Sequence, residues 1–293
     1  MNLDTFIAFS MPKIEKALSD ILSPLQKNPD PLLFEAASYS LLNPGKRLRP
    51  LLTLVATHSL GEDPEKALYP ASAIEILHTY SLIHDDLPCM DDDDLRRGKP
   101  TLHKMYPEGQ AVLTGDLLLT LAFETLSLSP GLKPDQTLEL IKILAKKSGG
   151  SGMILGQSLD LKGENSFLSW DRLCEIHYRK TADLIGASLE FAAVLSEKPS
   201  FRGTFCEIGK DIGLSFQIID DVLDIEGEEH IIGKSILSDL ENKKSTSVSL
   251  LGLPKAKEMA KKLLNSALEK CESIGLGTGL LAELLPRLVH RNF

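Results

Sequence analysis

Six aspartates fall within ten positions of the segment YSLIHDDLPCMDDDDLRRGKPTLH (80–103): Asp85, Asp86 and Asp91 to Asp94. Arg96, Arg97 and Lys99 follow at once. Carboxylates gathered so closely repel one another and resist burial unless a cation compensates them. A hard divalent ion does this, and Mg²⁺ takes one or two carboxylates while phosphate oxygens fill other positions. A second cluster, Asp220, Asp221 and Asp224 in SFQIIDDVLD (215–224), again runs from an apolar helix into an Asp pair. Helical periodicity there puts Gln217, Asp220, Asp221 and Asp224 on one face, beside an apolar stripe of Ile212, Phe216, Ile219 and Leu223. At the first cluster Pro88 disfavours helix at Leu87. Asp91 comes six residues after Asp85, so the backbone must bend to return it to the same point. Asp92 to Asp94 read as partly solvated groups, some of them orienting Arg96 and Arg97. His84–Asp85 is also a doublet suited to a helical metal phosphohydrolase, although a histidine that packs between helices is the simpler reading.

Cations recur near these acids. GKRLRP (45–50) places Lys46, Arg47 and Arg49 at a turn opened by Gly45. HYRKTADL (177–184) carries Lys180 and Thr181 at the polar edge of an apolar helix, and Lys234 and Lys244 follow the second cluster. One picture accommodates both signs: the substrate is polyanionic, the aspartates hold Mg²⁺, and Mg²⁺ with Arg and Lys holds phosphates.

The elements that must position these groups are helices. EKALYPASAIEILHTYSLIHDD sets Ala73, Ile76, Leu77, Tyr80 and Ile83 along one stripe. Segments 115–126, 137–149, 179–195, 205–225 and 254–275 read likewise, separated by LNPGKRLRP, SLSPGLKPD, LSEKPS and GLGTG. Alternating β-branched runs are hard to find, so the expectation is an all-α fold, one domain over 1–293, with two like helices facing across a bundle core. Net charge −9 opposes a general nucleic-acid partner. The four cysteines form no CxxC and suggest neither zinc nor a disulfide framework, and the start of the chain reads as no signal peptide. No stretch reaches the ~20 apolar residues of a membrane span. A cytoplasmic protein with no integral membrane association follows.

Taken in order, GKRLRP, DDLPCMD with RRGKPTLH, GDLLLTLAFE, GQSLDL, KTADLI and FQIIDDVLD closely resemble the trans-prenyltransferases, the short-chain polyprenyl diphosphate synthases. The resemblance covers nearly the whole chain. It implies an isoprenoid-synthase bundle of antiparallel helices around a central cavity, a homodimer, and three Mg²⁺ ions, for which Mn²⁺ substitutes. By position it implies that Asp85, Asp86, Asp91, Asp220, Asp221 and Asp224 bind metal. Arg96, Lys180, Thr181, Gln217, Lys234 and Lys244 would hold an allylic diphosphate, with Lys180 and Arg96 also catalytic. Gly45, Lys46, Arg49, His78 and Arg97 would hold isopentenyl diphosphate. Tyr80 and Ser81, just before the first cluster, would set product length. In the family an aromatic here, with the longer first motif, goes with a C15 product, whereas plant-type geranylgeranyl synthases tend to carry Met. Three features depart from the pattern: Pro44 and Ala182 stand where glycine is usual, and 233–248 lacks the second Gly-Lys and the Tyr-Pro. The rival readings are a geranylgeranyl diphosphate synthase, a terpene cyclase, the phosphohydrolase and a non-catalytic interaction subunit.

Overall fold

The computed structural model describes residues 1–27, 29–163, 166–226 and 245–290; Lys234 and Lys244 lie outside them. The chain opens with α1 (Leu3–Leu22), whose first turn is capped by Asn2 accepting from the Thr5 N–H. Then follow α2 (Pro31–Leu41), α3 (Leu48–Ser59) and α4 (Leu68–Asp85). After the hairpin β1 (Leu95–Arg96) and β2 (Lys99–Pro100) come α5 (Leu102–Met105), α6 (Glu108–Ser127), α7 (Pro134–Ser148), α8 (Met153–Gly163) and α9 (Trp170–His177). A π turn (Tyr178–Ala182) leads into α10 (Asp183–Leu195) and the long α11 (Arg202–Glu226). The described chain ends with α12 (Ser247–Leu251), α13 (Leu253–Ser273) and α14 (Leu280–His290).

The fold is all-α, as expected, apart from that four-residue antiparallel ladder pairing Leu95 with Pro100 and Arg96 with Lys99. Its turn residues Arg97 and Gly98 both have positive φ, 53° and 74°, the twist a two-residue hairpin requires. No alternating pattern announces so short a ladder. The helix expected over 179–195 likewise contains a local irregularity, because Tyr178–Ala182 widen to π geometry before α10 begins.

Two helices are buried nearly all round. In α10 every residue from Leu184 to Ala193 is buried, with α3, α7 and α11 packed about it. In α4 the anticipated stripe of Ala73, Ile76, Leu77, Tyr80 and Ile83 is buried, but so are Ile74, Glu75 and Thr79. α1, α3, α6 and α10 surround α4, so its sides do not separate into a wet and a dry face. On α11 the deepest positions are Ile208, Ile212, Ser215, Ile218 and Val222. Phe216, Ile219 and Leu223, the rest of the expected stripe, are half-buried beside it.

Burying α4 whole takes a carboxylate inside, since Glu75 is 1% exposed. The compensating charge comes from Arg47, also 1% exposed. Arg47 caps α3 in left-handed geometry, φ 46°. Its Nη1 donates to Glu75 at 3.1 Å, its Nε to Glu15 at 2.8 Å, and its Nη2 to the carbonyls of Leu41 and Asn43. One side chain thereby ties α1, the end of α2 and α4 to the turn before α3. Removing one partner of a buried pair costs about 3–5 kcal/mol. Arg47→Ala should lower unfolding free energy by about that amount in urea titration; a loss under ~1 kcal/mol would show that the pair contributes no more than surface ion pairs do.

Candidate active site

The site is built around the middle and the C-terminal end of α4. Toward its middle, Glu75 carries a cluster of cations: Arg47 beneath it, Arg97 Nη2 at 3.9 Å, and Arg49 close enough to feel its charge. Gly45 makes this possible, because a side chain there would strike the Arg97 guanidinium, with Cζ only 2.8 Å away. Burial pushes Arg49 down to about 10, opposed by Glu75 and aided by Arg97. His78 is driven well below its ordinary value by burial and by Arg49, Arg97, Arg96 and Arg47. It is therefore a neutral ring among guanidiniums. The Arg49 Nε is buried with no protein acceptor. Lys46 is exposed at the rim. Positive charge here exceeds what Glu75 and Glu15 balance, a surplus suited to a multiply charged anion.

At its C-terminal end α4 stops at Asp85, and the chain turns back on itself. The Leu87 N–H donates to the His84 carbonyl, Asp92 takes φ 49°, and the Asp91 N–H donates to the Asp85 carbonyl at 2.9 Å. That is the bend demanded by the six-residue spacing. Asp85 is raised to about 6 by burial, with Lys180 pulling down, Asp91 pushing up, then Arg96 down and Asp86 up. Lys180, on the π turn, is in turn held above its ordinary value: burial opposes its charge, but Asp85, Asp160 and Asp91 outweigh burial. Its Nζ donates to Asp160 at 2.8 Å.

Asp86 faces elsewhere. Buried at 3% exposure, it accepts from Arg96 Nε at 3.0 Å and from Arg96 Nη2. Both line a narrow cleft of about 40 Å³ with Tyr39, Asn43 and Arg97. The reason is helical: Asp86 is about 100° around from Asp85. Asp93 adds a second contact to Arg96 at 2.7 Å, so one of the expected orienting aspartates does orient it. Asp94 pairs with Lys104 instead, and Arg97 leans on Glu75 rather than on any aspartate.

On α11, the Thr181 hydroxyl donates to Gln217 Oε1 at 2.8 Å, and Gln217 Nε2 donates to Asp220 at 3.2 Å. Asp221 is buried and turned toward α12, accepting from the Ser247 N–H at 2.6 Å and from the Ser247 hydroxyl. Asp224, half-buried, lies one turn beyond Asp220. Among the described residues no three His, Cys, Asp or Glu side chains converge into a complete metal-holding group. The donors are hard carboxylates, and the charge of Asp85, disfavoured by burial, is offset only in part by Lys180 and Arg96. Such a set suits Mg²⁺ bound through few protein oxygens and completed by phosphate and water.

A cavity of about 360 Å³ is lined by Arg49, His78, Asp85, Lys180 and Thr181 at its polar part, with no described residue of α11 in its wall. Its apolar part is made by Tyr80, Met90, Met153, Ile154 and Leu161, with Ser81 beside Tyr80. His84 also lines this cavity, its Nε2 3.1 Å from the Val112 carbonyl and its ring edge-on to Tyr80 at 5.0 Å.

The polyprenyl synthetase profile matches residues 30–275. The chain belongs to that family. It is 44% identical over 264 residues to a farnesyl diphosphate synthase of Micrococcus luteus, covering 89% of each chain. It is 42% identical to a chloroplastic geranylgeranyl pyrophosphate synthase of Capsicum annuum, covering 92% of this chain and 73% of that one. A Helicobacter pylori geranyltransferase complexed with magnesium and isoprenyl diphosphate superposes with TM-score 0.82 at 37% identity, over 98% and 97% of the two chains. This polyprenyl synthetase is a prenyltransferase with the isoprenoid-synthase fold.

Three residues escaped the reading of the sequence, as did the role of a fourth, Arg47. Glu75 was legible as a lone acid in an apolar helical run, and Asp160 as the acid of GQSLDL. Glu15 and the buried role of Arg47 had no local signal, because Arg47 meets Glu15 and Glu75 across 32 and 28 residues of chain, on two different helices. The neutral His78 has a consequence in solution. Its folded pKa is depressed, so as pH falls through about 6.5 the unfolded chain takes a proton that the folded one refuses. Stability present above that pH is lost below it. His78→Gln should therefore flatten the acid limb of stability between about pH 6.5 and 5 by up to ~1.4 kcal/mol per pH unit, read from urea midpoints. An unchanged slope would mean the ring titrates normally.

Proposed function

We propose that this polyprenyl synthetase joins isopentenyl diphosphate head to tail with an allylic diphosphate, dimethylallyl or geranyl, to give farnesyl diphosphate. One observation carries the reading: a single cavity is lined by Arg49 and His78, by Asp85 with Lys180, and by apolar residues about Tyr80. Gly45, Lys46, Arg49, His78 and Arg97 hold isopentenyl diphosphate, and the buried Arg49 Nε awaits an acceptor. Lys180, Thr181 and Gln217 hold the allylic diphosphate, joined by Lys234 and Lys244, with Arg96 acting through its hold on Asp86. Asp85, Asp86, Asp91, Asp220, Asp221 and Asp224 would hold Mg²⁺, or Mn²⁺ in its place, with Asp86 also held by Arg96 and Asp221 by Ser247. Three Mg²⁺ ions, when bound, offset the charge that develops on the departing diphosphate. Lys180 adds a fixed positive charge beside that group. The apolar wall keeps water from the allylic cation until the isopentenyl double bond attacks it, and the released diphosphate removes the proton.

The chain works as one domain over 1–293, a reading supported by α1 packing on α4 and α14 on α3. It acts as a cytoplasmic homodimer; among the described residues no helix is long and apolar enough to cross a membrane, and the exposed Met105 and Leu113 offer apolar surface for a second copy.

Two experiments bear on this. Asp85→Ala and Asp220→Ala should each lower the condensation rate at least ~10²-fold, and excess EDTA should abolish it. Near-normal turnover in either variant would remove that cluster from the chemistry. The second concerns product length. Tyr80 precedes Asp85 by five residues, about 7.5 Å along α4, and its ring is 8% exposed in the cavity wall. A growing tail meets it after limited extension, which favours C15. The C20 reading draws on the 42% identity to a chloroplastic geranylgeranyl pyrophosphate synthase. Wild type incubated with geranyl and isopentenyl diphosphates should yield mainly C15, and Tyr80→Ala should shift products to C20 or longer. A C20 product from wild type, or an unchanged C15 distribution in active Tyr80→Ala, would move the floor elsewhere.

A further inference from the structure

Tyr178–Ala182 form a π turn closed by the Asp183 N–H donating to the Tyr178 carbonyl. Such turns are rare and persist where the surroundings over-determine them. Two helices do so here, in matching fashion. From α8, Gly156 lies against the Lys180 backbone: a methyl added there would sit 2.8 Å from Lys180 Cα and 2.9 Å from the Arg179 carbonyl carbon. One turn along α8, Asp160 accepts from Lys180 Nζ at 2.8 Å. From α11, Gly213 lies against Ala182: an added methyl would be 3.1 Å from its N and closer still to its Cα and Cβ. One turn along α11, Gln217 accepts from Thr181 at 2.8 Å. Each helix thus touches the π turn twice at a four-residue spacing, once with bare backbone and once with a polar side chain.

The two kinds of contact constrain different atoms. Asp160 and Gln217 hold the ends of the Lys180 and Thr181 side chains. The glycines hold the backbone from which those side chains spring. A crowded flexible side chain can swing aside, whereas backbone pressed on backbone moves the whole helix. Misplacement by ~1 Å costs about 10²-fold where a reaction depends on orientation. Ala182, which stands where the family usually has glycine, fits the same picture. Its methyl fills the space that Gly213 leaves.

We propose that Gly156 and Gly213 are positioning residues of the condensation, seating the π turn so that Lys180 and Thr181 meet the allylic diphosphate. This rests on the role given to Lys180 above. The test compares Gly156→Ala and Gly213→Ala with Gly209→Ala. Gly209 meets Gly186 as tightly, an added methyl lying 2.6 Å from its N, on the α10–α11 contact, and it has no residue of the π turn among its nearest neighbours. Gly156→Ala and Gly213→Ala should lower kcat about tenfold or more while the KM for isopentenyl diphosphate stays within about twofold. Gly209→Ala should lower the melting temperature and leave kcat of the folded enzyme within about twofold. A fall in kcat that tracks lost stability equally in all three, or full kcat in the first two, overturns the proposal. Should those two fail to fold, Asp160→Asn takes their place; it should show the same split, and unchanged kcat there overturns the clamp. Lys180→Ala, run alongside, separates the two readings. Full kcat in that variant removes Lys180 from the reaction, whereas low kcat there with full kcat in both glycine variants overturns the clamp alone.

Discussion

The buried carboxylate of Glu75 is the constraint around which the catalytic half of this molecule is arranged. α4 is enclosed by four helices, and an acid in its interior is tolerable only with a paired, hydrogen-bonded cation. Arg47 meets that need and in doing so bends the Gly45–Arg49 turn into place. Arg97 and Arg49 then gather about the same acid, more cation than it can balance. A surplus of fixed positive charge in a partly dry setting is what a diphosphate site requires.

α4 also separates the two signs. Glu75 and Asp85 are ten residues apart on one helix, about 15 Å along its axis. Carboxylates at its C-terminal end and guanidiniums toward its middle thus keep their own neighbourhoods while lining one cavity. Lys180 reaches the acidic end from the π turn and is kept charged by Asp85, Asp160 and Asp91. Apolar residues between the helices take up the remaining space, so charge, metal donors and a hydrocarbon tail can share an enclosure without competing for the same atoms.

The helices of the site, and the family, were legible before any coordinates. The apolar period around Ile76, Leu77 and Tyr80 places α4, and the six-residue interval between Asp85 and Asp91 already demands the observed bend. Positions within the clusters were less so. The resemblance assigns Asp86 and Asp221 to the same task as their neighbours, and only the structure shows that each also has a protein partner, Arg96 for Asp86 and Ser247 for Asp221. Those partners belong to a hairpin and a short helix whose sequences carry no strong pattern.

What the sequence by itself determined is the set of groups and their local order: helical period, two Asp pairs, and basic turns at fixed intervals. These follow from short-range geometry, because residues three or four apart on a helix must share a face. Which side of a buried helix looks into the cavity was decided by tertiary structure alone. Glu75 acquires its role from Arg47, Lys180 its charge from Asp85 and Asp160, and the π turn its seat from Gly156 and Gly213. Each of those contacts joins segments distant in the chain, and electrostatics and close packing depend on distance in space rather than along the sequence.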